Sequence, residues 1–396
     1  MARILITDGD ERSALAAARS LGAAGHVVLV GSREGRSLAG GSRRAAGEVA
    51  LPDPLLDPEG LADRVASLAA ERALDVVLPM TEASLLAILP ARERIPAILP
   101  FPSIERFRRI CDKGEVFEAA RRIGIAVPGE RVCGSREALR AAGEAIGFPL
   151  VVKPSRSVVG AAGERVKHAV RHARDAAELE SVAAGLSDSA FPVHLQERVE
   201  GPGAGVFLLP WGGRTLARFA HRRLREKPPS GGVSVYRESI ALDPELEAAS
   251  SRLLEAFDWE GVAMVEYKIG EAGRPYLMEI NGRFWGSLQL AIDAGVDFPR
   301  LLVAAALGEP VEPVTAYLVG VRTRWLWGDA DHLLQRLRRS REDLHLPADA
   351  GGRLRAVAGF VAAFAGGRSE VFRATDPRPA WRETAAWLRA LGGGRG

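Results

Sequence analysis

The chain has 396 residues, of which 47% are hydrophobic and 26% charged, with a formal net charge of +3 and two cysteines. That is ordinary for a globular protein of about two or three domains. It excludes a disulfide or zinc framework, gives no electrostatic case for nucleic acid, and offers no apolar run near the length of a membrane span.

The N-terminus, MARILITDGDE, lacks the apolar segment of a secretory signal, so a cytoplasmic location is expected. RILIT at 3–7, an Ala/Leu-rich helix at 12–22 and HVVLVGS at 26–32 open a βαβ pattern. The turn Thr7-Asp8-Gly9-Asp10 is not G-x-G-x-x-G, so no dinucleotide site is read there. A helix at 59–72 and the strand DVVLPM at 75–80 continue the pattern. Thr81 and Glu82 follow at the carboxyl edge, where open parallel sheets bind ligands. A helix N-cap with a first-turn acid is the alternative reading of that pair. IPAILPFPS at 95–103 marks a boundary.

In CDKGEVFEAARRIGIAVP, 111–128, Asp112 and Glu115 are spaced as a capping box and Gly124 is the stop. Lys113 then lies in the first helical turn, where a cation costs about 0.3–1 kcal/mol against the helix dipole unless an anion sits nearby. Helices at 135–147 and 175–186 flank FPLVVKPS, 148–155. Lys153 sits inside that apolar run and cannot be buried cheaply without an anionic partner. The next segment, SRSVVGAAGERV, has small residues that let backbone N–H groups approach phosphate.

Strands are expected at 193–199, 205–210 and 215–221. Arg222, Arg223, Arg225 and Lys227 precede PPSGG and read as a basic loop suited to an anion, with a solvated basic turn as the alternative. A helix at 243–257 leads to VAMVEYKIGEAGRPYLMEINGR, 262–283, two short apolar strands joined by a Gly-bearing turn. Glu279, Asn281 and Arg283 alternate onto one face, and Glu266 can come across from the paired strand. Two carboxylates and an amide oxygen are the ligands a hard cation takes together with substrate phosphates. Arg283 suits a carboxylate or phosphate. A half-exposed hairpin with Glu279 paired to Arg283 is the alternative. Beyond it come two helices broken at Gly295 to Pro299, a strand-like YLVGVRTRWLWG, a basic helix at 330–342 and a final helix at 378–391. RLRAVAGFVAAF, 353–364, is ambiguous between helix and strand.

The order of these parts is more specific than any one of them. Lys113 in D-K ahead of G-I-A-V-P, Lys153 in V-V-K-P, Q-E-R-V-E-G at 196–201 and M-E-I-N-G-R at 278–283 together resemble the ATP-grasp superfamily over roughly residues 1–310. Among its members the chain looks most like the small-molecule carboxylate–amine ligases. The resemblance implies a mixed α/β and α+β fold. A Rossmann-like parallel-sheet (pre-ATP-grasp) domain is expected at 1–103, a small α+β subdomain at 104–195, and a large α+β subdomain with the Mg-ATP site at 196–310. Residues 311–396 would be an extension without an assigned role.

The resemblance also implies ATP with Mg²⁺, or Mn²⁺ in its place. Lys113, Lys153, Ser155 and Gly160 would contact phosphates, and Gln196, Glu197, Arg198, Val199 and Glu200 would form the adenine edge. Glu266, Glu279 and Asn281 would hold metal, and Arg283 would sit at the transferring phosphoryl group. His221, Arg223 and Lys227 would contact acyl phosphate or carboxylate. The implied activity is activation of a small-molecule carboxylate as an acyl phosphate for attack by an amine, releasing ADP and phosphate. A bicarbonate-using carboxylase or carbamoyl-phosphate-type enzyme is the first alternative, and a non-catalytic nucleotide-binding module the second. The partners would be the two small substrates and a second copy of the chain. Two features depart from the family pattern. Ser155, Arg156 and Ser157 stand where many members are glycine-rich, and GPGAGVF follows Glu200 where several carry a further acid for the ribose.

Overall fold

Four short apolar strands and their crossover helices build the first layer. They are β1 (Arg3–Ile6), α1 (Arg12–Ala23), β2 (Val27–Ser32), β3 (Gly47–Ala50), α2 (Pro58–Glu71), β4 (Val76–Leu78) and α3 (Glu82–Ile88). The sheet order is β3-β2-β1-β4, all parallel. Parallel strands buried on both faces are apolar throughout, as β4 and Ile4–Ile6 of β1 are. The computed structural model describes residues 1–154, 158–159, 166–167, 170–347 and 350–393, so Ser155 and Gly160 lie outside the described residues.

Helices α4 (Ile104–Cys111) and α5 (Lys113–Arg122) lead into a small antiparallel sheet. Its parts are β5 (Glu130–Cys133), α6 (Arg136–Ile146), β6 (Leu150–Pro154), the short pair β7 (Val158–Val159) and β8 (Val166–Lys167), β9 (Arg171–Ala173), α7 (Ala176–Ala184) and β10 (Val193–Glu197). The strand order is β5-β10-β6-β9, with β7 and β8 pairing apart from it. The two helices pack on one another and enclose a core of Leu139, Leu150, Val152, Leu179 and Leu195.

The third layer is a seven-stranded sheet, built from β11 (Gly203–Trp211), β12 (Arg214–Lys227), β13 (Val233–Ser239), α8 (Pro244–Glu255), β14 (Ala263–Ile269) and β15 (Pro275–Asn281). Helices α9 (Leu288–Asp293) and α10 (Phe298–Ala306) follow, then β16 (Arg322–Arg324), α11 (Leu326–Arg338), α12 (Arg353–Gly366), β17 (Arg368–Ser369) and α13 (Arg378–Gly393). The order is β15-β14-β11-β12-β13-β16-β17. Residues beyond 310 therefore complete this sheet with two strands. Among the described residues no helix is long and apolar enough to cross a membrane.

Two local expectations change. The basic run at 222–227 is strand, because it pairs with β13 as far as Lys227 and, at Arg222, with β11 as well. Only Pro228 to Gly232 remains as turn. The strand-like run at 317–328 is strand only at Arg322–Arg324, after which α11 begins at Leu326. The ambiguous run at 353–364 is helix.

Candidate active site

Register, more than sequence spacing, assembles the acidic pair. Glu266 on β14 stands directly opposite Glu279 on β15, with a bulge immediately after Glu266. Asn281 Nδ2 donates to Glu279 Oε1 at 2.9 Å, and Arg283 Nη2 donates to Asn281 Oδ1 at 3.1 Å. Arg283 also donates to the Phe284 carbonyl at 2.9 Å. Gly205 of β11 lies opposite Glu266, and His221 of β12 lies opposite Gly205. Four adjacent strands thus present Glu279, Glu266, Gly205 and His221 in one row on one face of the sheet.

Cations close on this row from two sides. Arg223 Nη2 lies 2.5 Å from Glu266 and Nη1 lies 2.9 Å from Glu226. Lys113 Nζ lies 3.8 Å from Glu279. Lys113 is 8% exposed at the start of α5, where Asp112 caps the Gly114 and Glu115 amides. Burial pushes Glu279 up, but Lys113, the Asn281 hydrogen bond, Lys153 and Arg283 outweigh it and hold the carboxyl below its usual range. Burial and its neighbour Glu279 raise Glu266, against the pull of Arg223. Lys153 is pushed down to about 8 by burial, with Glu279 opposing and Lys113 adding to the shift.

A small cavity sits at this end of the cleft, lined by Glu82, Cys111, Lys113, Glu279 and Asn281 among others. Thr81 is the N-cap of α3, accepting from Ser84 N, so of the pair at the carboxyl edge of β4 it is Glu82 that lines the cavity. Among the described residues no three carboxylate, imidazole or thiol side chains converge. The donor set is two carboxylates and one amide. That set fits Mg²⁺ held jointly with phosphates and does not fit zinc.

The remaining expected residues fall in two places. Gln196 and Glu197 end β10, and Arg198 and Glu200 lead toward Gly203 at the start of β11. The Glu197 amide donates to Gly129 O at 2.8 Å and the Arg198 amide to Pro149 O at 3.1 Å, so the segment is tied to the small sheet. Gln196 Nε2 donates to Glu130 at 3.3 Å, inside a buried cluster with His194. Val199 is half-buried and Glu200 exposed. In the second place, Lys227 pairs with Asp331 of α11 and lies 5.5 Å from the Trp325 ring centre. His221 is 1% exposed, its ring edge-on to Phe207 at 4.8 Å. Burial, then Arg223 and Arg237, push it well below the usual imidazole range, so it is neutral.

Sequence reasoning missed Glu226, Asp331, Arg12, Trp325 and Glu370. Their partners lie from three to 358 residues away in the chain. Glu226 alone carried a signal, as the one acid inside the basic run of β12.

Residues 192–328 match the family model described as ATP-grasp in the biosynthetic pathway with Ter operon. No curated protein sequence matches the chain. Among solved structures, an N5-carboxyaminoimidazole ribonucleotide synthetase in complex with ADP is similar at 16% identity and TM-score 0.67, covering 92% of this chain and 97% of its own. Biotin carboxylase from Campylobacter jejuni, in a complex with an ATP analogue, is similar at 15% identity and TM-score 0.63, covering 81% and 74%. An L-amino acid ligase from Bacillus licheniformis is similar at 21% identity and TM-score 0.60, covering 79% and 75%. At these identities the likeness shows the fold.

Proposed function

We propose that this protein, whose fold is that of the ATP-grasp proteins, is an ATP- and Mg²⁺-dependent ligase joining a small-molecule carboxylate to an amine, with release of ADP and phosphate. The observation that carries the reading is the row of Glu279 and Glu266 in register, with Arg283, Lys113, Lys153 and Arg223 around it. Binding a nucleotide needs fewer groups than this. Two carboxylates opposed by four cations suit a site where charge shifts during phosphoryl transfer.

In this reading Glu266, Glu279 and Asn281 hold Mg²⁺, which when bound neutralises phosphate charge. Mn²⁺ presents the same octahedral oxygen chemistry. Lys113 and Lys153 orient the phosphates from the two sides of the cleft. Residues 196–200 carry the adenine edge through their backbone. Arg283, on the same face two residues beyond Asn281, steadies the transferred group by a planar fork. Arg223 neutralises Glu266 and holds the carboxyl-bearing substrate's side of the site. Lys227 stands further out, and its partner Asp331 fixes its place. His221, neutral and enclosed, ends the row on β12. A cytoplasmic location and a homodimer complete the proposal. The exposed Leu354, Val361 and Phe364 of α12 support the dimer, since an apolar helix is normally covered.

The test is ADP release from Mg-ATP against pooled small carboxylates and amines, with and without bicarbonate. ADP formed only when both a carboxylate and an amine are present establishes the ligase. ADP that depends on bicarbonate moves the protein to the carboxylase class, which the likeness to biotin carboxylase keeps as the second reading. Glu279→Gln is expected to abolish turnover, and full activity at saturating ATP would remove Glu279 from the site.

A further inference from the structure

Arg12 opens α1 at the carboxyl edge of the parallel sheet, yet its guanidinium meets residues from the far end of the chain. Its carbon lies 4.0 Å from the Trp325 ring centre, and Nη1 donates to Glu370 Oε2 at 2.6 Å. A Cβ built on Gly286 would come within 3.0 Å of Arg12 Nη2, so the guanidinium rests against the backbone just past Arg283. Three residues of chain span at most about 10 Å. Arg12 is therefore within one small molecule's length of the phosphoryl-transfer point.

Glu370 is 2% exposed and its Oε2 serves two guanidinium groups, those of Arg12 and the fully buried Arg237. Its other oxygen, Oε1, has no partner. Trp285 Nε1, in the residue before Gly286, is buried without one as well, its ring packed against Phe207 at 4.3 Å and Phe298 at 5.0 Å. A buried unsatisfied polar atom costs about 1–3 kcal/mol and calls for an explanation. A second carboxylate, Glu383, accepts from Trp325 Nε1 at 2.7 Å, but burial pushes it up to about 7, so it offsets the second guanidinium only in part and the remainder suits an anion. The idle Oε1 needs a donor.

We propose that Arg12 and Glu370 anchor one substrate of the ligase, a small α-amino or α-hydroxy acid that reacts through a group several atoms away from that end. Its α-carboxylate lies on Arg12. Its α-amino or α-hydroxyl group donates to Glu370 Oε1. The reactive end reaches back toward Arg283. This rests on the ligase reading, and it gives residues beyond 310 a part in choosing the substrate, because Glu370 and Trp325 come from there.

Calorimetry on the full chain with Mg²⁺ and ADP present tests it. The probes are aspartate, glutamate, lysine, ornithine, malate and citrate. They are paired with counterparts lacking the α-carboxylate, such as β-alanine, 4-aminobutyrate and cadaverine. At least one α-acid binds, and its counterpart binds at least tenfold more weakly. Arg12→Gln erases that difference while ADP affinity stays within twofold. Gly286→Ala keeps every charge, presses a methyl group against the guanidinium, and weakens the acid in the same way. Equal binding of acid and counterpart, acid binding unchanged in both variants, or no acid bound by a chain that binds ADP would each overturn the anchor. A wild-type chain that binds no ADP would overturn the ATP-dependent reading beneath it.

Discussion

Lys153 carries a burial penalty that a bound phosphate would offset. Burial lowers it to about 8, whereas an unfolded lysine titrates near 10.4. Between those values the folded chain binds fewer protons than the unfolded one, so stability rises with pH through that window. The penalty of the buried charge is thus fully present below pH 8 and lifts above about 10. An ATP phosphate would favour the charged form and offset the penalty. Lys153→Met should raise the melting temperature at pH 7 and weaken ATP by roughly 10–100-fold, the worth of one charge-assisted hydrogen bond. Unchanged ATP affinity by calorimetry would count against the phosphate role. Wild-type ATP binding should also take up protons above pH 8, read as a dependence of the measured heat on the buffer's ionisation enthalpy. Arg283→Lys should lower kcat more than it raises KM for ATP, since a planar fork is lost. A pure KM effect would place Arg283 in ground-state binding instead.

At the scale of the element, β12 decides how the basic run is used. Strand alternation and pairing distribute its cations to separate anions. Arg222 meets Glu238, Arg223 meets Glu226 and Glu266, Arg225 meets Asp329, and Lys227 meets Asp331. Asp329 is 0% exposed and accepts from Nε and Nη2 of Arg225, at 2.6 and 2.7 Å, and from Arg324 Nε at 2.6 Å. Replacing one member of such a cluster leaves buried charge uncompensated, at about 3–5 kcal/mol. Asp329→Asn should therefore lower the unfolding free energy by that amount, read as a lower urea midpoint at an unchanged slope. A change within 0.5 kcal/mol, about the size of an ordinary surface substitution, would show that Arg225 and Arg324 find other partners. Runs of like charge read from sequence as loops because their counterions are remote, and nothing local marks the strand.

Over the whole molecule, the cores divide the chain differently from its linear order. The parallel sheet and the seven-stranded sheet share one apolar core, running from Ile4 and Leu15 to Phe207, Trp285 and Phe298. The small subdomain has a separate core. A unit with its own core can move over the cleft as a body. Its exit is constrained at Gly201, where φ is +135° and an added Cβ would come within 1.8 Å of the Ile269 carbonyl oxygen. The extension binds the parallel sheet through Arg19–Asp376 at 2.8 Å and Arg382–Glu48 at 2.9 Å. It also reaches the small subdomain's exit, where Arg198 Nη2 donates to the His345 carbonyl at 2.5 Å. Hydrogen exchange with and without Mg-ADP should show protection concentrated at 129–154 and 193–201, with little change in the shared core. Uniform protection of all three layers would mean the subdomain does not move separately.

The sequence by itself determined the βαβ start, the two cleft lysines and the alternation that aligns Glu279, Asn281 and Arg283. These rest on period, capping and local polarity, which act within a few residues. The order of motifs was enough to expect the fold and its family. Only the tertiary structure decided that Glu266 faces Glu279, because register is a relation between strands. Only it placed Asp329, Asp331 and Glu370 beside cations of β12, β13 and α1, through contacts that cross about 100 to 360 residues. Residues beyond 310 carried no legible chemistry because Asp329, Asp331 and Glu370 have partners on β12, β13 and α1. Their polar side chains meet those partners once β16 and β17 join the sheet.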